Sequence, residues 1–386
     1  MRAIFVHDSV FYIRGDRVFV PGTPDRRSWE PYLQVFDELL VAGRCRSESS
    51  PAGAARADRA GVHFECLPDL ASPRRWVTHL PAALARLEAL IAPADLVIAR
   101  TSVLGNLAAF CALRAEKRLL LEVVGCPLGA YWHHGSISGK IYAPIAALQT
   151  RALAARAPFV HYVTREYLQR RYPSSGVTLA MSDARIEMPE PGVLERRRER
   201  ITLLDRRTGP WRVGMIGAYD LHYKGLDVLL EAAARLRDTL PMTLHITGAG
   251  DPAPWLARAA EAGLAGRLHF EGVLPPERVL DWFDTLDLYV QPSREEALPR
   301  SVVEALSRGL PVLASSVGGL PELLSPAALH PPGDAAMLAA QMDALLRDPG
   351  AQHQAYERAI ETARRFVGPD KDARYQRFLR QAAGLS

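Results

Sequence analysis

Along this chain, short apolar or β-branched runs alternate with longer stretches in which apolar positions recur every three or four residues. In the first half, Ala3–His7, Val62–Leu67, Asp95–Ala99, Leu119–Val124 and Phe159–Val163 read as strands. "PAALARLEALIA" and "LGNLAAFCALRAE", which fall between them, read as helices. In the second half, "WRVGMIG", "TLHITGAG", "RLHFEGV", "DLYVQPS" and "PVLASSVGG" are strand-plus-turn units, most of them followed by a helical stretch. Such alternation predicts right-handed crossovers and parallel sheets. At 386 residues the chain exceeds what one hydrophobic core usually fills, so two α/β domains are expected. The break is placed between Pro189 and Trp211, because Pro189-Glu190-Pro191-Gly192 interrupts regular structure. The arginine-rich "ERRRERITLLDRR", Glu195–Arg207, follows and reads as a solvated linker or helix face. This predicts domains at 1–205 and 206–366, with a C-terminal helix at 367–386 packing back on the first domain. Two such sheets would enclose a cleft lined by the C-terminal ends of their strands.

Composition narrows the class without naming it. Hydrophobic content of 48% and charged content of 23% are those of a globular chain. No apolar run reaches the roughly 18 residues that cross a bilayer. "MRAIFVHDSVFY" lacks the longer apolar core of a signal peptide, so a cytoplasmic location is expected. Cys45, Cys66, Cys111 and Cys126 show no metal-type spacing and read as reduced thiols. A formal net charge of +4 is too small to argue for nucleic acid.

The chemistry-bearing signals sit at predicted strand ends of the second domain, the edge at which open α/β sheets bind ligands. Gly217 ends one strand, and Lys224-Gly225 opens the helix that follows. A helix start offers unpaired amides and a positive dipole, and a lysine beside it suits phosphate. Gly248 and Gly250 in "ITGAGD" make only a weak Gly-x-Gly, short of the dinucleotide fingerprint, and read first as a tight turn. In "SREEALPRSVVEAL", Glu296 precedes a helix that Pro299 begins, and Glu304 lies on that helix's first turns. Carboxylates accept from sugar hydroxyls while free amides at a helix start take a phosphate, so one junction can grip both. Gly318-Gly319 followed by Pro321-Glu322 is a further strand-to-helix turn.

In order and spacing, Gly217 with Lys224-Gly225, "ITGAGD", "FEGVLP", "VQPSREEALPRSVVEALSRGLPVLAS" and "VGGLPELL" resemble the donor-binding half of family 4 glycosyltransferases. The resemblance covers roughly Arg212–Leu324. It implies the GT-B fold: two Rossmann-like parallel-sheet domains facing across a cleft, the first binding acceptor and the second a nucleotide sugar. It implies that Glu296 contacts the donor sugar, Glu304 the ribose and Lys224 the diphosphate. Gly217 and Gly248 would flank the donor, with the amides of Ala297 and Leu298 facing the sugar and those near Ser301 and Val302 the phosphate. Two departures stand out. Ala218-Tyr219 replaces a common second phosphate arginine, so that either Lys224 would do more of the work or another cation such as Arg294 or Arg300 would help, and Ala297 occupies a position that is commonly glycine.

In the first domain, "RLLLEVVGCPLGAYWHHGSISGKIYAP" followed by "FVHYVTREYLQRRYP" resembles members of the same family associated with bacterial surface polysaccharides. His133 and His134 are the counterparts of a histidine that relatives place near the reacting carbon, and Glu122 is a further cleft candidate. The implied reaction is a retaining, metal-independent transfer of a sugar from a nucleoside diphosphate sugar, UDP favoured over GDP, to an acceptor hydroxyl. No other cofactor is expected. Asp370-Lys371-Asp372 reads as a helix cap. The acceptor would be a saccharide or a lipid-linked saccharide, with peripheral contact at the inner face of the cytoplasmic membrane through Gly139–Ala157. A sugar-nucleotide 2-epimerase and a non-catalytic partner are the alternatives that share the fold.

Overall fold

The computed structural model describes residues 1–47, 50, 53–70, 72–133, 136–203 and 209–385. The chain divides into two compact units. The first comprises Met1–Trp132, Ser136–Met181 and Pro369–Ser386, and the second contains Ser182–Gly368.

In the first unit the predicted runs, joined by the unpredicted strands Glu38–Arg46 and Val177–Ala180, form parallel strands in the order Val62–Cys66, Glu38–Arg46, Arg2–Arg14, Leu96–Arg100, Leu119–Val123, Phe159–Tyr162 and Val177–Ala180. Arg17–Val20 and Ala55–Arg56 add antiparallel strands at one side. Strands such as Leu119–Val123 are buried on both faces, which is why they read as continuous apolar runs instead of alternating ones. The opening strand is longer than Ala3–His7. A register shift between Val6 and Val10 turns it, after which it continues along Glu38–Arg46 and folds back on Arg17–Val20. The C-terminal helix Pro369–Ala383 contributes Tyr375, Phe378 and Leu379 to the core around Phe5, Trp29 and Tyr32.

The expectation of four reduced thiols needs correcting. Cys45 and Cys66 form a disulfide with Cα atoms 5.4 Å apart, whereas Cys111 and Cys126 are free and buried. Parallel pairing of Glu38–Arg46 with Val62–Cys66 brings the two strand ends together, which their spacing in sequence does not signal.

The second unit holds a six-stranded parallel sheet in the order Leu268–Gly272, Met242–Thr247, Trp211–Ile216, Leu288–Gln291, Val312–Ser315 and Leu329–His330. Helices Leu226–Arg235 and Ala335–Arg347 cover one face, burying Leu229, Leu230, Leu338 and Met342 against Val213, Leu244 and Ile246.

The domain boundary differs from 205/206. Pro191 begins a helix, Pro191–Thr202, because proline fits the first helical turn, where its missing N–H costs no bond. That helix belongs to the second unit. Buried Arg197 donates to the carbonyls of Leu286 and Phe283, and Arg200 to those of Leu286 and Asp284. Ile201 packs with Tyr356 and Ile360. These arginines therefore bond carbonyls at the end of the helix Pro276–Thr285 and are not a solvated linker.

Candidate functional site

The site residues of the second unit converge on the ends of its central strands. The strand Leu288–Gln291 ends in a polar run, and the loop to the helix Arg300–Ser307 carries Glu296. Glycines let neighbouring loops press against it. Gly225 has φ +80°, and a Cβ there would lie 2.0 Å from the carbonyl oxygen of Pro292. Gly318 has φ +58°, and its Cβ would meet the Glu296 carbonyl oxygen at 1.7 Å. No side chain fits at either point. Gly217 and Gly248 serve the same closeness. A Cβ on Gly217 would approach the Lys224 stem to 3.1 Å, and one on Gly248 the Gly217 oxygen to 2.1 Å.

Lys224 Nζ lies 2.8 Å from Glu296 Oε1. The same oxygen accepts from Ser293 Oγ at 2.8 Å and from Gln291 Nε2 at 3.0 Å. Behind it runs a buried relay: the Ile216 amide donates to Tyr289 Oη, which donates to Gln291 Oε1 at 2.6 Å. The Ser315 hydroxyl holds the Ser293 carbonyl. Burial works to lower the Lys224 pKa, but the facing Glu296 charge outweighs it and the ammonium is held above its ordinary value. Lys224 is therefore a fixed positive charge, aimed by a carboxylate whose second oxygen accepts nothing among the described residues.

Glu304 contrasts with this. Its side-chain carboxylate has no hydrogen-bond partner among the described residues, and burial raises its pKa, with Asp183 adding to the rise and Arg300 opposing it. The amides of Ala297, Leu298 and Ser301 also make no backbone bond there, whereas the carbonyl of Ala297 accepts from Gly319. Val302 departs from expectation because its amide bonds the Pro299 carbonyl at 3.2 Å. Arg294 departs as well. It grips both carboxylate oxygens of Asp227, at 2.9 and 2.6 Å, and the His222 carbonyl at 3.0 Å, so its fork is spent on holding the start of Leu226–Arg235. Arg300 is exposed at the helix start. One lysine, two carboxylates with open oxygens and unbonded amides at a helix start suit a ligand carrying both hydroxyls and an anion.

The relay of Tyr289, Gln291 and Ser293 was not anticipated. Its one signal in sequence is a polar Gln291-Pro292-Ser293 directly after an apolar strand. In the first unit, Glu122 is not an open site group. It is fully buried and accepts from Tyr32 Oη at 2.7 Å, Tyr375 Oη at 2.6 Å and Arg100 Nε at 2.8 Å, so its capacity is consumed by the fold. His133 lies in the turn after the helix Pro127–Trp132, and His134 lies outside the described residues.

Two Rossmann-like parallel-sheet units, one with this carboxylate–lysine site at its strand ends, make up a GT-B architecture. The chain matches Staphylococcus aureus protein CapJ with 29% identity over 343 residues, covering 88% of this chain and 84% of CapJ. It matches the lipopolysaccharide core biosynthesis mannosyltransferase LpsB of Rhizobium meliloti with 34% identity over 111 residues, 27% of this chain and 31% of LpsB. Among solved structures, sucrose-phosphate synthase from Thermosynechococcus elongatus superposes over the whole of both chains with a TM-score of 0.75 and 19% identity. Anabaena HepE in complex with UDP-glucose gives a TM-score of 0.69 at 18% identity, covering 99% of this chain and all of HepE. Residues 210–348 match the family glycosyl transferases group 1.

Proposed function

We propose that the protein moves a sugar from a nucleoside diphosphate sugar to an acceptor hydroxyl with retention of anomeric configuration, in the synthesis of a bacterial polysaccharide or glycolipid. The carrying observation is the pairing of a clamped Lys224–Glu296 with the carboxylate of Glu304, which is open, beside amides that are unbonded, among the described residues. In this reading the open oxygen of Glu296 accepts from the donor sugar's hydroxyls and Glu304 from the ribose. Lys224 and the start of the helix Arg300–Ser307 neutralise the diphosphate as it leaves, which is catalysis by positioning and by electrostatic stabilisation. The leaving charge falls on groups of the chain itself, so no metal is required. The donor is a UDP-sugar, in keeping with the fold neighbour HepE and its bound UDP-glucose. The acceptor is a saccharide or a lipid-linked saccharide, in keeping with the relative LpsB.

The test is a thermal-shift panel of UDP, GDP, ADP and CMP with chelator present, on the wild type and on Glu304→Ala. A ligand at about a hundred times its Kd adds about 2.7 kcal/mol of stability, so UDP is expected to give a clear shift that the substitution removes. A panel without any shift overturns the donor-site reading.

A further inference from the structure

The first unit carries a cluster of polar and aromatic side chains that the donor site leaves unused. It begins where the opening strand breaks its pairing. Val6 faces Ala42 and Val10 faces Arg44, so His7, Asp8 and Ser9 stand opposite Gly43 alone. A Cβ at Gly43 would lie 3.0 Å from the Ser9 carbonyl oxygen and 3.1 Å from that of His7, so glycine is what leaves room for the bulge. Such a bulge re-aims side chains, here near the strand ends at which open α/β sheets bind ligands.

The charges of the cluster are already committed. Asp8 accepts from the Val103 and Leu104 amides at 3.0 and 2.9 Å. Arg44 donates to the Asp8 carbonyl at 2.9 and 2.7 Å and lies 3.5 Å from Asp69, which is also paired with Arg75. Two uncharged groups are open. His7 Nδ1 lies 2.7 Å from Ser9 Oγ, while its Nε2 makes no hydrogen bond among the described residues. Burial and the Arg100 and Arg44 charges outweigh Glu122 and push the His7 pKa down to about 3, so the imidazole is neutral. Tyr131 Oη also has no hydrogen-bond partner among the described residues, and burial, with the Asp8 charge adding to it, pushes its pKa up to about 12.

An aromatic wall adjoins these groups. The Tyr131 ring, on Pro127–Trp132, meets that of Tyr142 on Ile137–Arg156 with centroids 4.9 Å apart. Tyr142 meets Trp76 of Pro73–Ile91 at 5.5 Å, and Trp76 Nε1 is spent on the Leu70 carbonyl. The Asp8 charge reaches both tyrosines, which places the wall beside the bulge. All three rings are only half-buried. Rings that merely fill a core are enclosed, and their polar tips find partners. Aromatic surface with a few neutral hydrogen-bonding groups fits a sugar ring. Its C–H faces lie on the aromatics, and its hydroxyls, which both donate and accept, suit an imidazole in either tautomer. An anion would need Arg44, which is spent on Asp8 and Asp69.

We propose that His7, Trp76, Tyr131 and Tyr142 form a binding site for an uncharged saccharide, the acceptor of the transfer, whose hydroxyls His7 Nε2 and Tyr131 Oη hold. His7, neutral and hard to protonate, holds the acceptor there and does not take its proton. The role of this sugar as acceptor rests on the transfer reading above, whereas its binding is measured without donor.

The test is saturation-transfer-difference NMR on the full chain with the methyl glycosides of glucose, galactose, mannose and N-acetylglucosamine, without UDP. At least one is expected to receive saturation, with millimolar affinity. Trp76→Ala and Tyr131→Ala should each weaken that binding by at least about fivefold, and His7→Ala by about three- to tenfold. His7→Gln, whose amide reaches the place of Nε2, should keep most of it. Circular-dichroism melts report the folding of each variant. Four glycosides that receive no saturation overturn the proposal, as do folded variants that bind like the wild type. So does a signal that saturating UDP abolishes, because the sugar then sits in the donor site. The UDP shift of the wild type is read separately, so a failed donor site and a failed saccharide site are told apart.

Discussion

Glu122 and Glu304 are both carboxylates near the strand ends of parallel sheets, one in each unit, and they do opposite work. Glu122 is enclosed and receives two tyrosine hydroxyls and an arginine. Burial pushes its pKa up, but the Arg100 guanidinium and the donated bonds outweigh burial and hold it well below the ordinary carboxylate range. Glu304 has no such partners among the described residues, and burial raises its pKa. A buried acid with both oxygens held by the fold's own donors is part of the fold. One kept partly desolvated and unbonded is a cost to the fold that a ligand relieves.

The largest effect should come from breaking the saturated site. Glu122→Ala leaves Arg100 without its carboxylate and also releases Tyr375, so urea denaturation should show a loss of about 3–5 kcal/mol. A loss below about 1 kcal/mol would erase the distinction drawn here. Next in size is Lys224→Ala, which removes the clamped cation. The rate per enzyme on a UDP-sugar should fall about 10²–10³-fold while the fold is retained. Undiminished turnover would show that Lys224 only braces Glu296.

The smallest effect is the most diagnostic, because the two acids should respond to pH with opposite signs. For Glu122 the folded pKa is depressed, so its contribution is full above the ordinary glutamate range and is lost as pH falls through the lowered folded value. For Glu304 the folded pKa is raised, so its contribution is present only below the ordinary value and is lost as pH rises through the folded one. Glu304→Gln should therefore leave the protein at least as stable as wild type at neutral pH, with any gain shrinking in acid. Melting curves across pH check this, and a variant less stable than wild type at neutral pH would place a fold-bearing partner on Glu304.

Much of this was legible in the chain because it is local. Short apolar runs and period-3.6 patterns marked most strands and helices, and Glu296, Glu304 and Lys224 stand at strand-to-helix junctions whatever the rest of the chain does. The strand Glu38–Arg46 was not marked. Its "ELLVAGRCR" carries Gly43 and two arginines and is bracketed by no strong turn signal, and only pairing with Arg2–Arg14 reveals it. In the site, the sequence carried the charges but not their commitments. Arg294 stands in the sequence as one cation that could help with phosphate, but Asp227, 67 residues away, holds it.

What the sequence determined by itself, then, is the alternation of elements and the placing of acids and a lysine at loop ends, since both follow from short-range periodicity and turn chemistry. The tertiary structure alone decided which of those charges are spent. It paired Cys45 with Cys66, enclosed Glu122 beneath the C-terminal helix and joined Pro191–Thr202 to the second unit. It also turned the isoleucines of Ile137–Arg156 outward. Each of these depends on contacts between residues distant in the chain, and periodicity shows that a helix has an apolar side without showing which side its neighbours will cover.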